Sequence, residues 1–554
     1  MVYRVRSARW VEILAVAAAV SAGLLFSLAA LAAPVRTASG WVEGVEQDDV
    51  RVFRGIPFAA PPVGPLRWRA PAPPAPWSGT RHADKFSPIC MQRGAYPEDS
   101  PPEPMSEDCL YLNVWVPAVV HAKPLPVMVW IYGGGLLNGS ASTPLYAGDA
   151  LARRDVIVVT ANYRLGALGF LAHPDLTLES PQGVSGNYGL LDQLASLRWV
   201  QKNIAAFGGD PANVTVFGQS SGSISISALV ASPLANGLFQ RAIGQSGGLF
   251  EPLEVAPEFS PAGAEQVGIA FARKQGAPSL QTLRALPASV IVAQPFNPQP
   301  VVDGYVLRES PYQAHAHGRV NDVDILVGYN QEEGSYFINR RRIGAANLTA
   351  VLEQDFPKFL VSLLGPKPAV SDAAARSEFV RFEGDMRFGW NMWAWARLHA
   401  ADEKRKTYFY RFAGPDGIPD GATHGAEMPY VFDHLELARA SPPERDRRVA
   451  ETMGSYWTNF ARTGNPNGPG LPDWPVFKRS AHRALLIGDE IKAGAIPGES
   501  GLAAIDRLYW AVRVLLKYGY AIAAVAGAVL LGLLWRMIAS FRRRTLQPSG
   551  TIRR

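Results

Sequence analysis

Two stretches of the chain, FGQSSGS at 217–223 and IGQSGGL at 243–249, carry the spacing G-x-S-x-G. That spacing suits a serine held on a sharp strand-to-helix turn, where its hydroxyl can attack an acyl carbon. Glycines belong two residues before and after it, because strand and helix crowd the turn. The flanks separate the two serines. Ser220 follows the apolar stretch VTVF (214–217) and precedes residues 221–232, which lack proline, so a strand leads into a helix. Ser246 is followed by Gly247, Gly248 and Pro252, which oppose a helix. Ser220 is therefore the nucleophile candidate and Ser246 the structural one.

Acyl transfer needs further groups. An oxyanion requires backbone N–H donors, and Gly133-Gly134-Gly135 directly follow the apolar run LPVMVWIY at 125–132. A histidine base and an acid that orients it should follow the serine in the order acid, then histidine. Of the late histidines, His399 lies in a helical pattern and His482 in a charged stretch. Beside His434 there remains His424, which lies in DGATHGAEMPYVF, a glycine-bearing loop after the strand pattern TYFYRF, the position needed. The acid is Glu332 or Glu333, at the end of the strand in LVGYNQEEGSYF; local pattern does not separate them.

The elements that position these groups alternate. Strand patterns at 125–132, 155–163, 214–218, 242–247, 324–330 and 405–412 are interleaved with helical spacing at 190–207 and 221–232. This predicts an α/β fold, a mostly parallel central sheet with helices on both faces. Helical patterns at 259–275, 346–364 and 372–400 read as cap insertions. No linker divides residues 34–505, which form one domain.

The chain has 554 residues and a net charge of +6. Residues 536–554 hold six arginines and no acid, and the first 32 residues hold a net +2, which leaves the centre at −2. A nearly neutral centre offers no basic footprint for nucleic acid. Residues 1–33 read as a signal peptide or signal anchor, with Ala30-Leu31-Ala32 as a cleavage site. Residues 506–517 read as juxtamembrane, 518–540 as a transmembrane helix and 541–554 as a basic cytoplasmic tail. The bulk of the chain is then periplasmic or extracellular, where the two cysteines, Cys90 and Cys109, are permitted to pair.

Taken together, these stretches resemble the type-B carboxylesterase/cholinesterase family of α/β-hydrolases. FGGDPANVTVFGQSSG (207–222) and EDCLYLNVWVP (107–117) fit its two signatures. FRGIPFAAPPVGPLRW (53–68), NYRLGALGFL (162–171) and YWTNFARTGNPNG (456–468) fit further blocks. The resemblance implies a Ser220–Glu333–His424 triad, with the acid directly before the glycine. It implies oxyanion donors at Gly134, Gly135 and Ser221, a Cys90–Cys109 disulfide, and structural ion pairs Arg67–Glu107 and Arg164–Asp192. It also implies that the Ser246 hydroxyl and the Glu427 carboxylate together steady the His424 loop. No metal or cofactor is implied, and the substrate is a small-molecule ester. Ser221 stands where alanine is common, Ser223 where glycine is common, and Leu136 where cholinesterases carry phenylalanine. The cysteine loop has no tryptophan, which favours a general ester over a choline ester. Two other readings share the resemblance: a catalytically silent, neuroligin-like adhesion ectodomain, and a neutral-lipid lipase.

Overall fold

The computed structural model describes residues 30–94, 103–338, 341–418 and 421–545. Most of the leader, residues 1–29, and the end of the basic tail, residues 546–554, lie outside the described residues.

Continuous apolar runs make strands buried on both faces, and those strands form the centre of a twelve-stranded sheet. In chain order they are β1 (Ala30–Leu31), β2 (Val45–Gln47), β3 (Val50–Pro57), β4 (Tyr111–Pro117), β5 (Leu125–Ile131), β6 (Ile157–Ala161) and β7 (Gly209–Gln219). β8 (Arg241–Gln245), β9 (Asp324–Asn330), β10 (Thr407–Gly414), β11 (Arg483–Gly488) and β12 (Ile491–Ala495) complete the set. The spatial order is β1-β2-β3-β4-β6-β5-β7-β8-β9-β10-β11-β12. From β6 across to β11 every pair is parallel, and both edges are antiparallel. Every residue of β5 is buried.

The order of connection reverses at β5. The chain leaves it for β6 on one side and returns to β7 on the other, so a crevice opens at the carboxyl ends of β5 and β7. That crevice receives both the triple glycine and Ser220.

Six helices matter to the site: α1 (Tyr188–Asn203), α2 (Ser221–Ala231), α3 (Lys358–Leu364), α4 (Trp390–His399), α5 (Glu444–Thr463) and α6 (Glu499–Thr545). The pattern at 346–364 proves to be two helices, Leu348–Asp355 and α3. Pro357 lies between them and disfavours helical backbone at Phe356. The pattern at 372–400 is one rod interrupted by a π-helical turn at Asp385–Gly389.

Both ends differ from the expected boundaries. Ala30 and Leu31, expected inside the leader, pair as an edge strand with Glu46 and Val45. Residues 506–517, expected as a juxtamembrane segment, are helical. They continue α6, because nothing between Leu502 and Tyr518 breaks a helix and because Leu502, Ile505 and Tyr509 form one buried face at helical spacing. The rest of α6 is long and apolar enough to cross a membrane and is not buried against the domain.

The Cys90–Cys109 disulfide is formed. Arg67 clasps Glu107 through two bonds (2.7 and 2.5 Å) and donates to the carbonyls of Arg284 and Leu286. Arg164, just beyond β6, clasps Asp192 on α1 through Nε and Nη2 (both 2.7 Å), and its amide donates to the same carboxylate (3.0 Å). Asp192 is fully buried, so its loss leaves an unpaired guanidinium inside the domain. Asp192→Ala is expected to lower stability by about 3–5 kcal/mol, read as a drop in the denaturant midpoint at unchanged slope.

Candidate active site

Ser220 sits between β7 and α2 with φ 55° and ψ −126°, a left-handed conformation that few non-glycine residues adopt. A Cβ at Gly218 would lie 2.5 Å from the Ile131 carbonyl, and one at Gly222 would lie 2.0 Å from it. Both glycines of the motif are thus demanded by β5, which passes beneath the turn. The Ser220 amide donates to the Gln245 carbonyl (2.8 Å).

The second motif repeats this turn without its exposure. Ser246 has φ 53°, and its amide donates to the Gly328 carbonyl (2.9 Å) at the end of the next strand. It is fully buried, and no helix follows. A Cβ at Gly247 would lie 2.2 Å from the Ser220 carbonyl, so the second motif backs directly onto the first.

The triple glycine follows β5 with Gly134 at φ +105° and Gly135 at φ +64°, and both are exposed to the crevice. The Ser221 amide belongs to the first turn of α2, whose N–H groups have no partner within the helix. The two serines at unusual positions have work here. The Leu136 amide donates to Ser221 Oγ (3.0 Å), which ties the glycine loop to the turn. Ser223 Oγ donates to the Gly247 carbonyl (2.5 Å), which ties α2 to the second motif. Alanine and glycine could make neither bond.

Glu333 begins a short 3₁₀ turn three residues after β9, and His424 lies in the loop after β10. The fold brings them together, with His424 Nδ1 2.6 Å from Glu333 Oε2 and the carboxylate buried. Glu332 takes no part in this contact. The imidazole is packed between aromatic rings: Phe388 stacks on it at 4.3 Å and Tyr336 meets it edge-on at 5.6 Å. Phe388 belongs to the π-helical turn, a distortion that often marks a working site. The other ring nitrogen, Nε2, lies 3.2 Å from the Gln219 side-chain amide, one residue before Ser220.

One expectation is corrected. The Ser246 hydroxyl does not hold Glu427; among the described residues it has no hydrogen-bond partner. The Glu427 carboxylate is taken by two amides, Gln245 Nε2 (2.9 Å) and Asn330 Nδ2 (2.5 Å). Gln245 ends strand β8 with its side chain towards Glu427, whereas Ser246 has already entered the left-handed turn. Asn330 also donates to the Thr423 carbonyl (2.7 Å), and its backbone N–H donates to Glu333 Oε1 (2.7 Å). Trp457 Nε1 on α5 completes the chain at Gln245 Oε1 (3.2 Å). Burial pushes the Glu427 carboxyl above the usual range and the charge of Glu333 adds to this, while the two amides oppose it.

A cavity of about 730 Å³ is lined by Phe388 and, among others, by Ile224, Leu249, Phe337 and Leu360. Tyr509 and Val512 of α6 complete its wall.

Sequence reasoning missed Gln219, Gln245, Asn330 and Phe388. The two glutamines stood in plain view inside the G-x-S-x-G stretches, and Asn330 is the last residue of a well-marked strand. Nothing in the sequence points to Phe388.

A parallel sheet that presents a left-handed serine turn at its connection reversal, with an acid and a histidine after later strands, defines an α/β-hydrolase. The model of the carboxylesterase family matches residues 32–500. The fumonisin B1 esterase of Sphingopyxis macrogoltabida is 41% identical over 514 residues, 88% of this chain and 94% of that protein. The para-nitrobenzyl esterase of Bacillus subtilis is 37% identical, over 82% of this chain and 95% of its own. Among solved structures, a PNB esterase superposes with a TM-score of 0.75 at 33% identity, covering 85% of this chain and 99% of that one. The chain belongs to the carboxylesterase family and is a carboxylic ester hydrolase.

Two substitutions test the geometry. Ser221→Ala keeps the N–H donor but frees the Leu136 amide. It is expected to cost about 1 kcal/mol of stability and to lower kcat severalfold with little change in KM. Asn330→Ala leaves buried Glu427 short of a donor and is expected to cost about 1–3 kcal/mol, measured by chemical denaturation.

Proposed function

We propose that the chain is a membrane-anchored serine carboxylesterase in which Ser220, Glu333 and His424 carry out acyl transfer through an acyl-enzyme. The observation that carries this reading is the 2.6 Å contact between His424 Nδ1 and buried Glu333, beside a serine in a left-handed turn. Glu333 holds the imidazole in the tautomer with its proton on Nδ1, which leaves Nε2 as the base.

The steps balance as follows. Ser220 Oγ bonds to the ester carbonyl carbon while its proton passes to Nε2. The oxyanion that forms is met by the N–H groups of Gly134, Gly135 and Ser221. Collapse breaks the ester C–O bond, and the alcohol leaves with the proton from His424. A water then gives its proton to His424 and attacks the acyl carbon. The acid departs and Ser220 regains its hydrogen. With the proton on Nδ1, Nε2 can accept from the Gln219 amide 3.2 Å away, a contact that competes with the Ser220 hydroxyl for the same nitrogen.

The substrate in this reading is a general ester, since the Cys90–Cys109 loop lacks the tryptophan that would face a quaternary ammonium. The anchor is the exposed apolar part of α6. The arginines at 542–544 favour a cytoplasmic C-terminus, with the catalytic domain periplasmic or extracellular.

Ser220→Ala is expected to lower hydrolysis of p-nitrophenyl acetate by several orders of magnitude in a correctly folded protein. Ser246→Ala, which removes an unpartnered buried hydroxyl, is expected to keep turnover and stability near wild type. Near wild-type rates in Ser220→Ala, or a serine-directed phosphonate found on Ser246, would overturn the assignment.

A further inference from the structure

One wall of the cavity that is lined by Phe388 (the ring stacked on His424) and the apolar helix are parts of one rod. Tyr509 and Val512 line the cavity, and the uncharged run of α6 begins at Tyr518. Tyr518 is six helical steps beyond Val512, a rise of about 9 Å along a helix.

The rod is clamped to the domain. Tyr509 meets Trp390 of α4 edge-on at 4.6 Å, and Asp506 pairs with Arg397 of α4 at 2.9 Å. Glu499 accepts from Trp393 Nε1 (3.0 Å). The Arg513 guanidinium lies over the Tyr312 ring, 3.4 Å from its centre, and donates to the Phe250 carbonyl. With both the docked turns and the apolar run in one unbroken helix, the height of the cavity above a membrane is set by helical rise rather than by a loose tether.

Although Glu251, Gln299 and Arg387 also line the cavity, part of its lining is apolar and exposed. Val255 is 57% and Phe359 51% exposed, and both line it. Leu363, one helical turn after Phe359 on the same face of α3, is 66% exposed. On α6 itself Trp510, Leu515 and Leu516 are exposed, and they carry apolar surface from the domain down to the apolar run. Exposed apolar surface of this kind marks a contact with lipid or another protein, and here it runs towards the apolar run of α6.

We propose that this cavity takes esters dissolved in the bilayer, which enter past Phe359 and along the Tyr509–Val512 face of α6. The substrate class is then a water-insoluble ester with a long acyl chain or a bulky apolar alcohol. The proposal rests on the membrane-anchored esterase reading above and assigns that site its source of substrate.

The test uses the full chain reconstituted in phosphatidylcholine vesicles. One variant carries a helical Glu-Ala-Ala-Ala-Lys-type spacer of about eleven residues between Lys517 and Tyr518. Three turns keep the helix face in phase and lift the cavity by about 16 Å. Hydrolysis of p-nitrophenyl palmitate dissolved in the vesicles is expected to fall about tenfold or more, while p-nitrophenyl acetate in the water is cleaved within about twofold of wild type. Leu363→Glu, away from the cavity lining, is expected to lower the palmitate rate alone. Equal palmitate rates with and without the spacer overturn the proposal. A dimer in detergent that Leu363→Glu dissociates, with the palmitate rate unchanged, assigns the rim to a second copy and overturns it too. Wild type that fails to cleave acetate refutes the esterase reading instead, and wild type that does not float with the vesicles refutes the anchor.

Discussion

Two carboxyl groups, Glu333 and Glu427, are buried in one small polar pocket, and the site depends on supplying both with donors. An unpaired charge there would cost several kcal/mol, so the surrounding elements are fixed by where their amides can reach. Asn330 does most of this. Its backbone N–H serves Glu333, and its side chain serves both Glu427 and the Thr423 carbonyl. The end of β9 is thereby fastened to the loop that holds His424. Gln245, from the end of β8, takes the other Glu427 oxygen and is itself held by Trp457 of α5. Two strand ends, the His424 loop and one helix meet at this network, and the imidazole is aimed as a result.

A second constraint is steric. β5 passes so close beneath the serine turn that neither motif glycine can carry a side chain. The same closeness lets the Ser221 hydroxyl reach the Leu136 amide across the crevice. Here the residues that depart from the common family pattern strengthen the joint between the glycine loop and the turn. The second G-x-S-x-G is the buttress of the first: its Gly247 lies against the Ser220 carbonyl, and its working side chain is the glutamine.

The long helix extends this logic to the outside of the domain. Helix α6 reads as a membrane segment because of its apolar run, yet its first turns belong to the domain core. Leu502 is wholly buried, and Tyr509 is shared between the Trp390 contact and the cavity wall. The long apolar run and the wall of the cavity are therefore built from adjacent turns of one element.

Much of this was legible in the sequence. The central strands announced themselves as apolar runs, because strands buried on both faces have no polar side. The serine turn was marked by its glycines and flanks, and the family pattern chose Glu333 over Glu332. The antiparallel strands at the two ends of the sheet, β1 to β3 and β11 to β12, carried weaker signals, since edge strands are short and half exposed. That the first turns of α6 pack on the domain was not legible, because an apolar helical face looks the same whether it meets a protein or a lipid. The sequence alone determined which residue types were available for acyl transfer and in what order. Only the tertiary structure decided that Gln245 and Asn330, not Ser246, hold Glu427, and that Phe388 stacks on His424. Those are contacts between side chains far apart in the chain, and local periodicity carries no record of which way two distant strand ends face each other.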